Sequence, residues 1–208
     1  KHAGALRLDH VMGLMRQFWV PAGTSPTEGA YVRFPFADLL GILALESQRN
    51  QCLIIGEDLG TVPAEVQAAL PPMGIFSYRL LMLEKEASGN FIMPENYPAQ
   101  ALAAFTTHDL PTLPGYWQGR DIVKRTELQL FSSDEARRTQ VVVRAQECAH
   151  LLLMLEQASL LPDGSTVNPV SLPVATPEFV QAVYTYLARS PSKILMVQLE
   201  DILDVLDQ

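Results

Sequence analysis

The sequence is poor in the features that mark several large classes of protein. It has no run of about 18 uncharged apolar residues, which excludes a transmembrane helix. Only two cysteines are present, Cys52 and Cys148, and they lie too far apart in the sequence to form a zinc-type pair. Free thiols are typical of a reducing compartment, so we expect a cytoplasmic protein.

Positive charge is also scarce. The 15 lysines and arginines stand against 23 aspartates and glutamates, which gives a formal net charge of −8. That balance argues against nucleic acid or an anionic membrane as the main partner and leaves neutral ligands open. The four histidines include no His-x-His pair, and we expect neither a metal ion nor another cofactor.

The chain nevertheless has enough apolar residues for a core. Its 208 residues are 48% hydrophobic, and its prolines and glycines are spread along the chain instead of forming a low-complexity segment. Lys1 stands where an initiator Met would be and a strand follows almost at once, so we expect a piece of a longer protein. No repeat or linker divides the chain, and we predict one domain over residues 1–208 with no second domain.

Short apolar runs alternate with segments that have helical spacing. We predict strands at 5–9, 52–55, 75–83, 102–107 and 193–199. We predict helices at 12–18, at 36–50, after Pro63, from a possible capping box of Ser132 and Glu135 to about 157, and at 176–189.

This alternation indicates an α/β fold with a parallel sheet and helices outside it. A complete (β/α)8 barrel, or TIM barrel, usually needs about 250 residues. Five strands in 208 residues fit the back part of such a barrel. We therefore predict a partial barrel that has helical insertions and lacks its N-terminal strands.

The first candidate cluster, Arg7-Leu8-Asp9-His10, closes the first predicted strand. Side chains two residues apart on a strand share a face, so Arg7 and Asp9 should project together. A guanidinium beside a carboxylate keeps the carboxylate ionised, which suits a nucleophile or a charge stabiliser. A structural ion pair is the alternative.

The second cluster follows the next strand, at Gly56-Glu57-Asp58. An acid beside an apolar strand can act as a general acid, and Gly56 would leave room next to it. Alternatively, Glu57 or Asp58 could cap the helix that follows.

The third cluster, Thr107-His108-Asp109, closes the strand at 102–107. It offers a further carboxylate and an imidazole at a strand end. As an alternative, Asp109 could cap a helix that begins at Pro111.

The spacing of these clusters favours one site. Asp9 and Glu57 are 48 residues apart, and Glu57 and Asp109 are 52 apart. A βα unit of a barrel averages about 30 residues, so Asp9 and Glu57 can stand at the same rim on neighbouring strands with a long loop between them, and Asp109 two strands later. Three carboxylates at one rim are more than packing ordinarily requires.

These motifs resemble the three active-site motifs of the α-amylase clan. The closest form is glycoside hydrolase family 77, the 4-α-glucanotransferases or amylomaltases, in its bacterial type. The resemblance is strong from Ala5 to about Gln118 and weaker beyond, and it identifies the chain as a C-terminal fragment of such an enzyme. The motifs that carry it are Arg7-Leu8-Asp9-His10, Ile55-Gly56-Glu57-Asp58-Leu59-Gly60-Thr61-Val62-Pro63 and Thr107-His108-Asp109-Leu110-Pro111-Thr112.

The resemblance implies a role for each residue. Asp9 would be the nucleophile of a retaining double displacement, Glu57 the acid/base, and Asp109 a stabiliser of the transition state. Arg7 would orient Asp9 in the substrate site. His108 would donate to a sugar hydroxyl, and His10 would also contact substrate.

The implied substrates are maltooligosaccharides and α-1,4-glucan. Aromatic faces suit sugar rings, and the candidates are Trp19, Tyr31, Tyr97, Tyr116 and Trp117. An α-glucan hydrolase of the same clan is the near alternative, and a metal-dependent barrel hydrolase is a more distant one. An incomplete barrel would leave strand edges open, so the isolated fragment could self-associate and lack activity.

Overall fold

A computed structural model describes residues 3–207. Within this range the chain forms seven strands and seven α-helices, joined by short 3₁₀ turns. The strands are β1 (Ala5–Leu8), β2 (Arg16–Trp19), β3 (Ala30–Arg33), β4 (Leu53–Gly56), β5 (Ser77–Leu80), β6 (Ala101–Ala104) and β7 (Ile194–Leu195). The helices are α1 (Phe36–Asn50), α2 (Ala64–Ala69), α3 (Leu113–Trp117), α4 (Arg120–Glu127), α5 (Asp134–Gln157), α6 (Pro177–Ala188) and α7 (Leu199–Ile202).

The chain divides into two compact units, residues 3–78 with 100–102 and residues 79–99 with 103–207. The α/β class predicted from the sequence is confirmed. The prediction of a single barrel domain stays a prediction.

The first unit is organised by a parallel pair of strands. β1 and β4 pair from Ala5 opposite Leu53 to Leu8 opposite Gly56, and Ile55 makes a parallel bridge to Phe76. Because the two strands are parallel and in register, the residues that follow them emerge side by side. The core of this unit consists of Val11, Met15, Leu40, Ile54, Val66, Leu70 and Ile75.

Helix α1 matches its predicted bounds. Phe36, Leu39, Leu40 and Leu43 recur with the spacing of one helical face, and Leu40 is 2% exposed. The helix ends where Gln51 adopts a left-handed conformation and its N–H bonds back to the last turn.

Residues 12–18 were predicted as a helix, and this prediction is wrong. Only Val11–Leu14 forms a 3₁₀ turn, and β2 then pairs antiparallel with β3. The ring of Phe18 meets the ring of Tyr31 across the pair, edge to face, with centroids 5.2 Å apart. Such cross-strand aromatic pairs stabilise a sheet and override a weak local helical pattern.

The second unit is mainly helical. Its core gathers side chains from α3, α5 and α6 around the end of β6, including Phe105, Tyr116, Leu151 and Phe179. β6 lies between β5 and β7 in a three-stranded sheet.

Two predicted elements of this unit need correction. The cap of α5 is Ser133, whose Oγ accepts from Ala136 N at 3.0 Å, and not Ser132. The strand predicted at 193–199 is reduced to Ile194–Leu195, and Leu199 begins α7. Two acids in its first turn favour a helix at that point.

Candidate active site

Arg7 and Asp9 project together from the end of β1. Arg7 Nη1 lies 2.8 Å from Asp9 Oδ1, as the strand alternation predicts. The guanidinium also sits 5.5 Å from the ring centre of Tyr78. Arg7 Nε is buried and has no hydrogen-bond partner among the described residues, so one strong donor remains for another acceptor. The Asp9 side chain is 75% exposed and therefore accessible.

Glu57 follows β4 directly and is held next to the Asp9 loop. Its N–H donates to Leu8 O at 2.8 Å, and its carbonyl accepts from Val11 N at 3.0 Å. Its carboxylate accepts from His10 N at 2.9 Å through Oε2 and from Leu59 N at 2.6 Å through Oε1. The Glu57 carboxylate is thus fixed by main-chain groups on both sides.

The helix-capping alternative for Glu57 and Asp58 is wrong. Helix α2 begins after Pro63 and has no side-chain cap. Asp58 is 4% exposed, and its Oδ1 accepts from Tyr78 N at 2.8 Å. It joins the loop after β4 to the start of β5.

His108 and Asp109 form a second exposed group, which belongs to the second unit. His108 Nε2 lies 3.3 Å from Asp109 Oδ2, and both side chains are 74% exposed. Asp109 N donates to Thr107 Oγ1 at 3.2 Å. The expectation that Asp109 could cap the next helix is wrong, because the cap of α3 is Thr112, whose Oγ1 accepts from Gly115 N at 3.0 Å.

A cavity of about 410 Å³ opens beside His108 and Asp109. Its wall includes the charged side chains of Lys124, Arg125 and Asp207. Such a space can hold a small polar ligand next to the carboxylate of Asp109.

Asp201 is an acid whose importance the sequence did not reveal. It is 2% exposed, its Oδ1 accepts from Leu113 N at 2.7 Å, and its Oδ2 accepts from the Tyr184 hydroxyl. Burial raises the pKa of Asp201, although these two hydrogen bonds act in the opposite direction. Its role is therefore to join α7 to α3 and α6.

The five candidate aromatics divide by exposure. Tyr97, Tyr116 and Trp117 are between 2% and 7% exposed and serve as core residues. Trp19 is 55% exposed and Tyr31 is 61% exposed, so only these two rings are accessible to a sugar.

Within residues 3–207, no three His, Cys, Asp or Glu side chains come close enough together to hold a metal ion. No helix in that range has both the length and the apolarity needed to cross a bilayer.

Comparison with known proteins establishes the relationship. The family model for 4-alpha-glucanotransferase matches residues 1–208. The chain belongs to this family, glycoside hydrolase family 77. The resemblance inferred from the motifs is thereby confirmed.

Individual relatives agree with this assignment. The 4-alpha-glucanotransferase of Haemophilus influenzae is 40% identical over 204 residues, and that of Mycobacterium bovis is 36% identical over 205. These matches cover 98% and 97% of this chain but only 29% and 27% of the relatives. The chain therefore spans less than a third of the length of the curated relatives.

Solved structures give the same result. The amylomaltase of Corynebacterium glutamicum superposes with a TM-score of 0.83 at 34% identity, over 96% of this chain and 28% of that one. The amylomaltase of Streptococcus agalactiae, solved in complex with acarbose, superposes with a TM-score of 0.58 at 17% identity, over 96% of this chain and 33% of that one. The second likeness concerns the fold alone.

Proposed function

We propose that the protein to which this chain belongs is a 4-α-glucanotransferase that moves α-1,4-glucan segments between maltooligosaccharides. The observation that carries the proposal is the joining of two motifs at the ends of β1 and β4. Asp9 pairs with Arg7, and Glu57 accepts a hydrogen bond from the amide that directly follows Asp9. Membership in the 4-alpha-glucanotransferase family supports the proposal that these are the two acids of a retaining transfer.

The proposed chemistry has two balanced steps. The Asp9 carboxylate attacks the anomeric carbon while protonated Glu57 gives its proton to the departing glycosidic oxygen, so a glucosyl ester forms on Asp9. The Glu57 carboxylate then takes the proton from a hydroxyl of an incoming sugar, and that oxygen displaces Asp9. Transfer exceeds hydrolysis when the acceptor sugar keeps water away from the ester.

The neighbouring residues have supporting roles in this proposal. Arg7 pairs with Asp9 and orients it, and its buried Nε can donate to a substrate hydroxyl. His10 contacts substrate beside the nucleophile. His108 and Asp109 bind sugar hydroxyls, and Asp109 stabilises the transition state.

The proposed setting is a cytoplasmic enzyme with one barrel domain. We propose that the strands form part of a (β/α)8 barrel, which the remaining length of the protein completes. The two described thiols are unpaired, which supports a reducing compartment. The 75% exposure of Asp9 is expected if residues outside this chain supply further walls of the glucan groove.

Self-association is proposed only for the isolated chain. Among the described strands, β1 pairs with β4 alone, and Leu6 on β1 is 51% exposed. An open strand edge can pair with another copy. A monomeric mass by light scattering at high concentration would contradict this proposal.

The test uses the full-length protein with maltotriose as substrate. The wild type should produce a ladder of longer oligomers, whereas glucose and maltose alone would indicate the hydrolase. Asp9→Asn and Glu57→Gln should each lower turnover by at least about 10³-fold, since the first removes the nucleophile and the second removes the group that gives and takes the proton. Glu46→Gln, on the exposed face of α1, is the matched control and should retain wild-type turnover.

A donor with a fluoride leaving group separates the two roles. Fluoride departs without protonation, so Glu57→Gln should still form a maltosyl ester on Asp9 from α-maltosyl fluoride, and Asp9→Asn should not. Mass spectrometry of the denatured protein measures the ester. Near-normal maltotriose turnover by either variant would defeat the assignment.

A further inference from the structure

The hairpin formed by β2 and β3 carries unusually exposed rings. Phe18 is 48% exposed, Trp19 is 55% exposed and Tyr31 is 61% exposed. A two-stranded hairpin has little core of its own, and large apolar side chains on a surface commonly mark a binding site.

The register of the hairpin separates these rings onto two faces. Phe18 is opposite Tyr31 and Trp19 is opposite Ala30, so Trp19 shares its face with Gln17. On the other face Arg16 lies over the Tyr31 ring, 4.4 Å from its centre. The Tyr31 ring, although 61% exposed, already has Arg16 over it and the Phe18 ring at its edge, whereas the 55% exposed Trp19 ring has the side-chain amide of Gln17 beside it.

The Trp19 side chain is held in place before any ligand binds. Its indole Nε1 donates to Gln17 Oε1 at 3.1 Å, and its ring is tilted against Phe34 with centroids 6.3 Å apart. The amide nitrogen of Gln17 makes no hydrogen bond to any residue in the described part of the chain, so it can donate to a ligand. A fixed ring beside a free amide donor loses little entropy when a ligand binds.

The Trp19 face adjoins the loop that carries the proposed nucleophile. A β-carbon built on Gly13 would lie 3.2 Å from His10 Cδ2 and 3.7 Å from Gln17 Nε2, so both side chains border the same position. At the base of the hairpin, Phe34 N donates to Met15 O at 2.9 Å. A glucan that occupied the site at Asp9 could therefore extend along this face.

We propose that Trp19 and Gln17 form a glucan-binding subsite that extends the proposed active site. The C–H face of a glucose ring would stack on the indole, because its slightly positive hydrogens match the negative face of the ring. The Gln17 amide would donate to a hydroxyl of the same sugar or its neighbour. This inference rests on the proposed function and adds a specificity determinant to it.

The test compares chain lengths in the full-length protein. Trp19→Leu removes the aromatic face and keeps an apolar side chain, so KM for maltoheptaose should rise about 3- to 10-fold while kcat changes less than about two-fold. KM for maltotriose, which is too short to fill every subsite, should change less. Trp19→Phe should restore most of the affinity for maltoheptaose, and Gln17→Ala should raise its KM in the same direction as Trp19→Leu.

Phe18→Leu is the matched control, because Phe18 is the adjacent exposed ring on the opposite face. It should leave both KM values unchanged. The subsite would be refuted if Trp19→Leu and Phe18→Leu changed KM equally. It would also be refuted if Trp19→Leu lowered the melting temperature without changing KM. Either result would indicate that the Trp19 ring packs against another part of the protein. A wild-type protein without transfer activity would instead refute the proposed function.

Discussion

The main-chain amide of His10 donates a 2.9 Å hydrogen bond to Glu57 Oε2, across 47 residues of sequence. His10 has a φ of 47° and a ψ of 58°, a left-handed conformation that turns the chain sharply after β1. Non-glycine residues seldom adopt it, although histidine does so more often than most. The backbone of the first motif therefore positions the carboxylate of the second.

Substitutions at His10 should distinguish the role of its left-handed backbone from the role of its imidazole side chain. Val is strained at positive φ, so His10→Val should lower the free energy of unfolding by about 1–2 kcal/mol and misplace the amide that holds Glu57. Asn tolerates this conformation, so His10→Asn should keep wild-type stability and lose only the contacts of the imidazole. Chemical denaturation and maltotriose turnover of the full-length variants measure both effects. Equal stability of the two variants would contradict the backbone role.

Gly56 should tolerate no larger side chain. A β-carbon there would lie 3.0–3.2 Å from three side-chain atoms of Val11, which is fully buried. Val11 N also bonds to Glu57 O, so any movement of Val11 would be passed to Glu57. Gly56→Ala should cost about 1–3 kcal/mol of stability and lower turnover.

Gly41→Ala provides the control for this prediction. Gly41 lies within α1, and a β-carbon there would meet no atom within 4 Å beyond its chain neighbours and the backbone of the helix itself. Ala should stabilise the helix by up to about 1 kcal/mol and leave turnover unchanged. A Gly56→Ala variant with the wild-type melting temperature would contradict the prediction, because it would show that Val11 can move aside without loss of stability.

Glu147 is the centre of an ion-pair network in the helical unit. Its carboxylate contacts Lys85 Nζ, accepts from the Tyr116 hydroxyl at 2.7 Å, and lies 3.4 Å from Arg144 Nε. Burial raises the pKa of Glu147, but the hydrogen bonds from Lys85 and Tyr116 and the charges of Lys85 and Arg144 outweigh it. The net result is a pKa below the ordinary 4.5.

This lowered pKa predicts a loss of stability in acid. The carboxylate is easier to ionise in the folded state, so its stabilisation is present above pH 4.5 and disappears as the pH falls through the lowered pKa. Glu147→Gln should lower the free energy of unfolding by about 1–3 kcal/mol at pH 7. Between neutral and acidic pH, the free energy of unfolding of this variant should fall less than that of the wild type. Denaturant titrations at several pH values measure this difference. The prediction would be contradicted if the free energy of unfolding had the same pH dependence in wild type and variant. Glu127→Gln, which removes the acid of an exposed ion pair on α4, is the control.

Local sequence patterns were sufficient to predict an element where the secondary-structure preference of each residue agrees with that of its neighbours. The apolar spacing of 36–50 predicted α1 to the residue, and Thr176 before Pro177 predicted the start of α6. Parallel strands with polar ends were predicted for β1 and β4, and their pairing is confirmed. At 12–18 and 193–199 the local pattern failed because cross-strand pairing and buried contacts to other elements outweigh weak propensities there.

The sequence alone determined the family, the α/β class and the identity of the acids at the strand ends, because motif residues and apolar periodicity are local properties. Only the tertiary structure decided that His10 adopts a left-handed conformation, that its amide holds Glu57, and that Trp19 is exposed while Trp117 is buried. These features depend on hydrogen bonds and packing between segments distant in the sequence. No short-range preference encodes such contacts, so they emerge only when the strands pair.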